Sequence, residues 1–546
     1  MSKFIVPAIL ALAFAAAPAF AAQSAKPVIH HAHIAYDVEE KSIAQLQADL
    51  TAGRVTSEEL VQGYLARIEK LDRNGPKLQA VLALNPDAMA QARALDAERR
   101  AGHVRGPLHG IPVLLKDNIE TADPMPTTAG SLALKDNITH RDSPLAARLR
   151  AAGAIILGKT NLSEWANIRS THSISGWSAV GGLTRNPYAA DRTACGSSSG
   201  SGAAAAASFA AAAVGTETDG SVTCPSSING VVGLKPTVGL IPRTFIVPIS
   251  HSQDTAGPMA RSVTDVAELL TVMAGSDARD PASAGADAHK GDYTKALDAD
   301  ALKGKRFGVL RFDAGFNPGA DALLDRAIAD LKAAGAEVIE IKEFKPEGEI
   351  GRNEGLVLNT ELKADMASYL ASTPAAGVTA RSLSDLIAFD NAHAHEEMPF
   401  FAQETFEKAD TMKGLDDPAY KKARETSFGL AGPEGIDRLM ADNRLDALIG
   451  ETTGPAWMID VANGDQGGGG DTSLPAVAGY PHLTVPMGQV KGLPVGLSFI
   501  GPAWSEARLI GFGYAYEQRT HRRRPPTYAR TSDALDDVSA HEAPVR

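Results

Sequence analysis

Cysteine is almost absent from this 546-residue chain: Cys195 and Cys224 are the full complement, so at most one internal disulfide can form. There is no H-E-x-x-H pattern, which removes the commonest helical zinc-hydrolase signature. The small histidine groups, His30, His31 and His33 and then His393, His395 and Glu396, read as a terminal stretch and a charged helix face. Positive charge is in deficit, with 53 Lys and Arg against 65 Asp and Glu and a net charge of −12, so nothing favours a nucleic-acid partner. After about residue 17 no apolar run reaches the length of a membrane span. No internal repeat is visible.

What is present concentrates between Cys195 and Pro236, in the run CGSSSGSGAAAAASFAAAAVGTETDGSVTCPSSINGVVGLKP. Two Gly/Ser-rich turns flank an alanine-rich stretch that reads as one helix. Turns without Cβ atoms let a ligand approach the main chain, and clustered N–H groups favour negative charge. Three chemistries fit such a nest. A phosphate cradle needs a lysine closing its loop, and here Gly202 runs into Ala203 and Ala204. A nucleophile elbow matches Gly196-Ser197-Ser198-Ser199-Gly200 with Ser198 central and His251 or His482 as partner. An elbow follows a buried strand, however, and residues 188–194 read as a polar loop. The third uses a lysine: Ile111–Leu115 has the length and apolarity of a buried strand, and Lys116 stands at its end, placed to be desolvated or to snorkel outward.

Lys116 in VLLKDN, the Gly-Ser-Ser turn at 196–198, GTETDGS at 215–221 and GVVGLKPT at 230–237 together resemble the amidase signature family. So do GPLHGIPVLLKDNI at 106–119, PTTAGS at 126–131, AGAIILGKTNLSEWA at 152–166 and the C-terminal segments at 478–488 and 492–502. The resemblance spans roughly residues 40–520. SISGWSA at 173–179, SQDTAGPMARS at 252–262 and LAGPEGID at 430–437 add likeness to the family's bacterial peptide-amidase branch, whose substrates are C-terminal peptide amides.

The resemblance implies a Ser-cisSer-Lys triad. Ser221 would attack the amide carbonyl and become an acyl-enzyme, and Ser197, after a cis Gly196–Ser197 bond, would relay a proton to Lys116 as base. Backbone N–H groups of Thr218, Asp219, Gly220 and Ser221 would form the oxyanion hole. Only about one lysine in 2,500 is neutral at pH 7 at its ordinary pKa, so Lys116 must be shifted down by several units. Asp117 should face the other way, since successive strand residues alternate sides. Asp219 should turn away from the hole and bond within its own turn. No metal or cofactor is required. The expected substrate is a small-molecule or short-peptide amide. A broad aryl or aliphatic amidase, and a non-catalytic exported binding protein, are the alternatives. If Ser197 and Ser221 touch, Cys195 and Cys224 come close as well; the expectation is a pair of buried thiols.

The implied fold is α/β: a single large domain with a mixed central β-sheet covered on both faces by α-helices. Apolar runs at 111–115, 154–157, 307–310, 338–341, 445–449, 483–485 and 495–500 supply its strands, and Thr56-Ser57-Glu58-Glu59 reads as a capping box. Residues 1–21 read as a signal peptide, 22–36 as a linker and 37–524 as the amidase domain, with a helical cap at about 350–445. A disordered tail is expected over 525–546. Residues 276–293 read as a polar linker. The leader implies an exported, periplasmic monomer with no nucleic-acid partner and no membrane contact after cleavage. Trp177 and Trp457 are candidates for a pocket wall, and Gly464–Gly470 for a loop at its mouth or a plain connection.

Overall fold

The run ending at Lys116 becomes a strand in the middle of a large sheet. The computed structural model describes residues 36–534 apart from Asp471, so the leader, most of the N-terminal linker and the last twelve residues lie outside the described residues. In chain order the strands are β1 (Val81–Leu84), β2 (Pro112–Lys116), β3 (Ile155–Thr160), β4 (Trp177–Ser178), β5 (Gly182–Leu183), β6 (Ala212–Glu217) and β7 (Val232–Lys235). There follow β8 (Thr255–Ala260), β9 (Arg306–Leu310), β10 (Glu337–Ile341), β11 (Ala447–Glu451), β12 (His482–Val490) and β13 (Leu493–Ile500). Eleven of them form one sheet in the order β1-β3-β2-β6-β8-β7-β12-β13-β11-β9-β10, and β4 pairs with β5 alone. β3, β2 and β6 run parallel, as do β11, β9 and β10; the centre from β6 to β11 is antiparallel. This is the expected mixed sheet, with helices packed on it.

Every strand expected from an apolar run is present. Six were not legible: β1, β6, β7 and β8 of the large sheet, and the short pair β4 and β5. The alanine run explains β6. Ala has the highest helix propensity, yet the helix Ser199–Ala206 is capped by Ala207, and the second half of the run is β6, fully buried between β2 and β8. Small side chains let the helix lie close on the strand, and tertiary burial decides against propensity. Residues 153–160 spell the P-loop pattern G-x-x-x-x-G-K-T letter for letter. They are nevertheless β3, with their N–H groups in the sheet and Lys159 sealed in the interior.

The capping box forms as expected, with Thr56 and Glu59 satisfying each other's backbone N–H at the start of Ser57–Ile68. Residues 276–293 are no free linker. Asp280 accepts from the Arg243 guanidinium, a helix forms at Ala286–His289, and the His289 ring stacks on Trp504. The region around 350–445 is helical, led by Glu347–Ser372, and its apolar faces meet Ala129, Leu134 and Trp165 of the body. The tail expectation is corrected for its first ten residues. Tyr528 N donates to Pro187 O, Ala190 N donates to Ala529 O, and the Tyr528 hydroxyl takes a bond from Arg67. Pro525 and the charged run before it hide these anchors in sequence. Among the described residues, no helix is long and apolar enough to cross a membrane.

Candidate active site

Lys116 ends β2, and the parallel pairing of β2 with β6 brings it beside Thr216. Its ammonium nitrogen is wholly buried and touches three oxygens: Ser197 Oγ at 2.8 Å, Thr216 Oγ1 at 2.9 Å and Thr216 O at 3.3 Å. Asn118 Nδ2 donates to the same Thr216 hydroxyl at 2.9 Å. Among the described residues no carboxylate touches the amine. Burial lowers its pKa to about 7, against a weaker upward pull from Asp254 and Glu217. About half the lysines are then neutral at pH 7. Asp117 faces the other way, as expected, taking bonds from the Thr128 N–H and hydroxyl.

Ser197 follows a cis Gly196–Ser197 bond, with Cys195 at φ +52° just before it. Its carbonyl accepts from Ser163 N, while the next amide, Ser198 N, donates to Ser221 O at 3.1 Å. The two serine turns are therefore held together by main chain. Ser198 is spent on structure: its hydroxyl donates to Thr216 O and accepts from Thr216 N. His482 bonds Ser498 and is held near pKa 3 by burial, and His251 pairs with Asp365. No histidine serves Ser198, so the elbow reading fails.

Ser221 sits between β6 and the helix Thr223–Ile228. Among the described residues, the N–H groups of Thr218, Asp219, Gly220 and Ser221 find no partner in the turn's hydrogen bonds. Gly220 has φ +72°, which a side chain would strain, and its carbonyl caps Cys224 N. Glu217 was not singled out by the sequence. Its carboxylate accepts from Val222 N, Thr223 N and the Thr223 hydroxyl, anchoring the turn from below, and the buried Lys235 of GLKPT faces it. Thr216 and Asp254 were missed too; the motif GTETDGS contains the first, but only strand pairing aims it at Lys116.

Two expectations are corrected. Asp219 does not bond within its own turn: it accepts from Ser473 Oγ at 2.6 Å, with the Glu354 carboxyl as its neighbour. The helix Glu347–Ser372, remote in sequence, supplies that neighbour. Cys195 and Cys224 are a disulfide, with Cα atoms 6.1 Å apart, because the contact of the serine turns brings them into reach.

A cavity of about 290 Å³ opens at this place, lined by Gly196, Asp219, Gly220, the disulfide, Thr453, Trp457, Asp465 and the Gly467–Gly469 backbone. The glycine loop thus borders the mouth, and Trp457 is a wall. Trp177 instead packs on Phe400 and Phe401. Of the histidine groups read from sequence, His393 stacks on Phe389, and His30, His31 and His33 lie outside the described residues. A different trio, His251, Glu361 and Asp365, brings ligand atoms within 4.8 Å, although Ser250, Ser252 and Tyr420 already bond its Glu361.

A large mixed sheet carrying a buried lysine on two serine turns defines a class of hydrolase, and known proteins place the chain in it. The family model described as Amidase matches residues 59–510, and the chain belongs to that family. It is 38% identical over 507 residues to a probable amidase of Arabidopsis thaliana, covering 90% of this chain and 92% of that protein. Among solved structures, the native peptide amidase of Stenotrophomonas maltophilia superposes with a TM-score of 0.86 at 54% identity, covering 90% of this chain and 99% of that one. A peptide amidase in complex with the competitive inhibitor chymostatin superposes equally well, with a TM-score of 0.86 at 55% identity, covering 89% and 99%. The protein is an amidase.

Proposed function

We propose that this amidase hydrolyses the C-terminal carboxamide of peptides through a Ser-cisSer-Lys triad. Neutral Lys116 draws a proton from Ser197 as Ser197 takes one from Ser221, and Ser221 Oγ bonds to the amide carbon. The oxyanion meets the free N–H groups of residues 218–221, each such donor contributing about 3–4 kcal/mol in related sites. Collapse breaks the C–N bond, and the proton returns through Ser197 to the leaving nitrogen as ammonia departs. Water then cleaves the ester, giving a carboxylic acid and free Ser221.

The observation that carries this reading is the 2.8 Å contact from a wholly buried Lys116 to Ser197, with no carboxylate of the described residues on the amine. Likeness to peptide amidases at 54–55% identity supports the peptide substrate. Export to the periplasm is part of the same reading and rests on the leader sequence and on a disulfide, which belongs to oxidising compartments.

The test measures ammonia from an amidated dipeptide, its free acid and an aryl amide, with Ser221→Ala as blank. Release from the amidated dipeptide far above the aryl amide is expected. Equal release from both would replace the peptide reading with a broad amidase, and no release from either would leave only a binding protein.

A further inference from the structure

The cavity beside the serine turns carries charge of one sign only. Asp219 and Asp465 are both in its lining, and no Lys, Arg or His joins them. Asp465 accepts from Trp457 Nε1 at 3.0 Å with one oxygen and from Ser175 N at 3.0 Å with the other. Both oxygens are therefore acceptors, the geometry of a carboxylate rather than an acid. Burial raises its pKa while these N–H groups pull it down.

Asp219 is held by Ser473, and the neighbouring Glu354 takes a bond from Gln253 at 2.8 Å. Burial, and then the neighbouring Asp219, push the Glu354 carboxyl up to about 8. Trp457 lines the same cavity as the Asp219 and Asp465 carboxylates. Its indole N–H is tied to Asp465, and its ring lies against Gly467, where a Cβ would come within 2.5 Å. An aromatic face with two carboxylates, in a cleft that concentrates their field, attracts a cation.

We propose that this pocket selects amides bearing a positive charge next to the scissile group, with Asp219, Asp465 and Trp457 as specificity-determining residues. The charge is an α-ammonium or a basic side chain. An anionic substrate, and the carboxylate product, are disfavoured by the same field. The proposal rests on the amide-hydrolysis reading of the Lys116–Ser197–Ser221 site.

The purified protein would be assayed for kcat/KM on the α-amides of N-acetyl-lysine, N-acetyl-norleucine and N-acetyl-glutamate, and on leucinamide against N-acetyl-leucinamide. The pair 4-(aminomethyl)benzamide and 4-carboxybenzamide reads the same selection outside peptides, so failure of the peptide reading is separable from failure of this one. Cationic over anionic by about tenfold or more is expected, with the neutral compound between and the ratio shrinking at 1 M salt. The arm showing the larger gain says whether the α-ammonium or the side chain is read. Asp465→Asn and Asp219→Asn should each shrink the cation-to-anion ratio several-fold, and either variant alone suffices. Equal rates for the three charges, a preference for glutamate, or a ratio that neither variant moves would overturn the proposal.

Discussion

Two lysines near the ends of neighbouring parallel strands are both fully buried and both bond a hydroxyl and a carbonyl, yet the charge around them differs. Leu115 of β2 lies opposite Lys159 of β3, and Lys116 opposite Thr160, so the two side chains leave the sheet on different sides. Lys159 donates to Ile119 O and Thr127 Oγ1, with Asp117 near enough to pull its pKa back up against burial. Lys116 meets only hydroxyls and a carbonyl, and its pKa falls to about 7. Burial is common to both. What separates them is the setting: four carboxylates pull the Lys159 pKa up against two for Lys116, and the hydroxyl on Lys116 belongs to Ser197, on the turn joined to Ser221.

Lys116→Met should strike this contrast hardest. Single-turnover ammonia release should fall by about 10⁴–10⁶-fold, the loss found on removing one member of a serine-hydrolase triad, if Lys116 belongs to the proposed one. Stability should move the other way. The gap between the ordinary lysine pKa of about 10.4 and about 7 corresponds to roughly 4–5 kcal/mol of burial penalty. That penalty is full below about pH 7 and fades toward pH 10, because only in that window does the unfolded chain hold the extra proton. After losing the bonds to Ser197 and Thr216, the variant should be about 1–3 kcal/mol more stable in urea at pH 6, with the gain shrinking as pH rises. A destabilised Lys116→Met would mean the lysine is structural.

Lys159→Met is the mirror experiment. It removes the cation nearest Asp117 and leaves two buried acceptors unpaired, so urea unfolding should show a loss of about 1–3 kcal/mol. Folded enzyme at saturating substrate should lose far less activity than Lys116→Met does. A comparable loss in both variants would erase the distinction between them.

Removing the disulfide with Cys195→Ser and Cys224→Ser together should lower stability by about 3–4 kcal/mol, given a 29-residue separation. Because the bridge joins the two serine turns, dithiothreitol should also depress kcat before the protein unfolds. No change in either quantity would show that main-chain contact alone holds the turns.

The smallest effect is in pH. A base near pKa 7 requires kcat/KM to fall about tenfold per unit below pH 7 and level off above it. Asp254 pulls the Lys116 pKa upward, so Asp254→Asn should move that limb to lower pH. A limb that does not move, or one near pH 10, would place the titrating group elsewhere.

Much of this site could be read before any coordinate. Lys116 at the end of an apolar run, the spacing of Ser197 and Ser221, and the glycines of GTETDGS are local signals, because strand length and turn chemistry are local. The fate of Asp219 was not legible, since its neighbours Ser473 and Glu354 lie more than 130 residues away. The P-loop letters at 153–160 show the reverse failure, where a local pattern matches and the sheet overrules it. Trp457 and the Gly467–Gly469 loop could not be told from ordinary connections until folding set them against Gly196 and Gly220.

Residue order was enough to set the reactive groups, the strand that carries the lysine and the turns that carry the serines, because chemistry and short-range propensity are written residue by residue. The folded chain was needed to settle that more carboxylates surround Lys159 than Lys116, that the two cysteines join, and that the charged residues lining the pocket are both acidic. Each of those depends on the distance between segments far apart in the chain, and desolvation and Coulomb energy follow distance in space, not position in sequence.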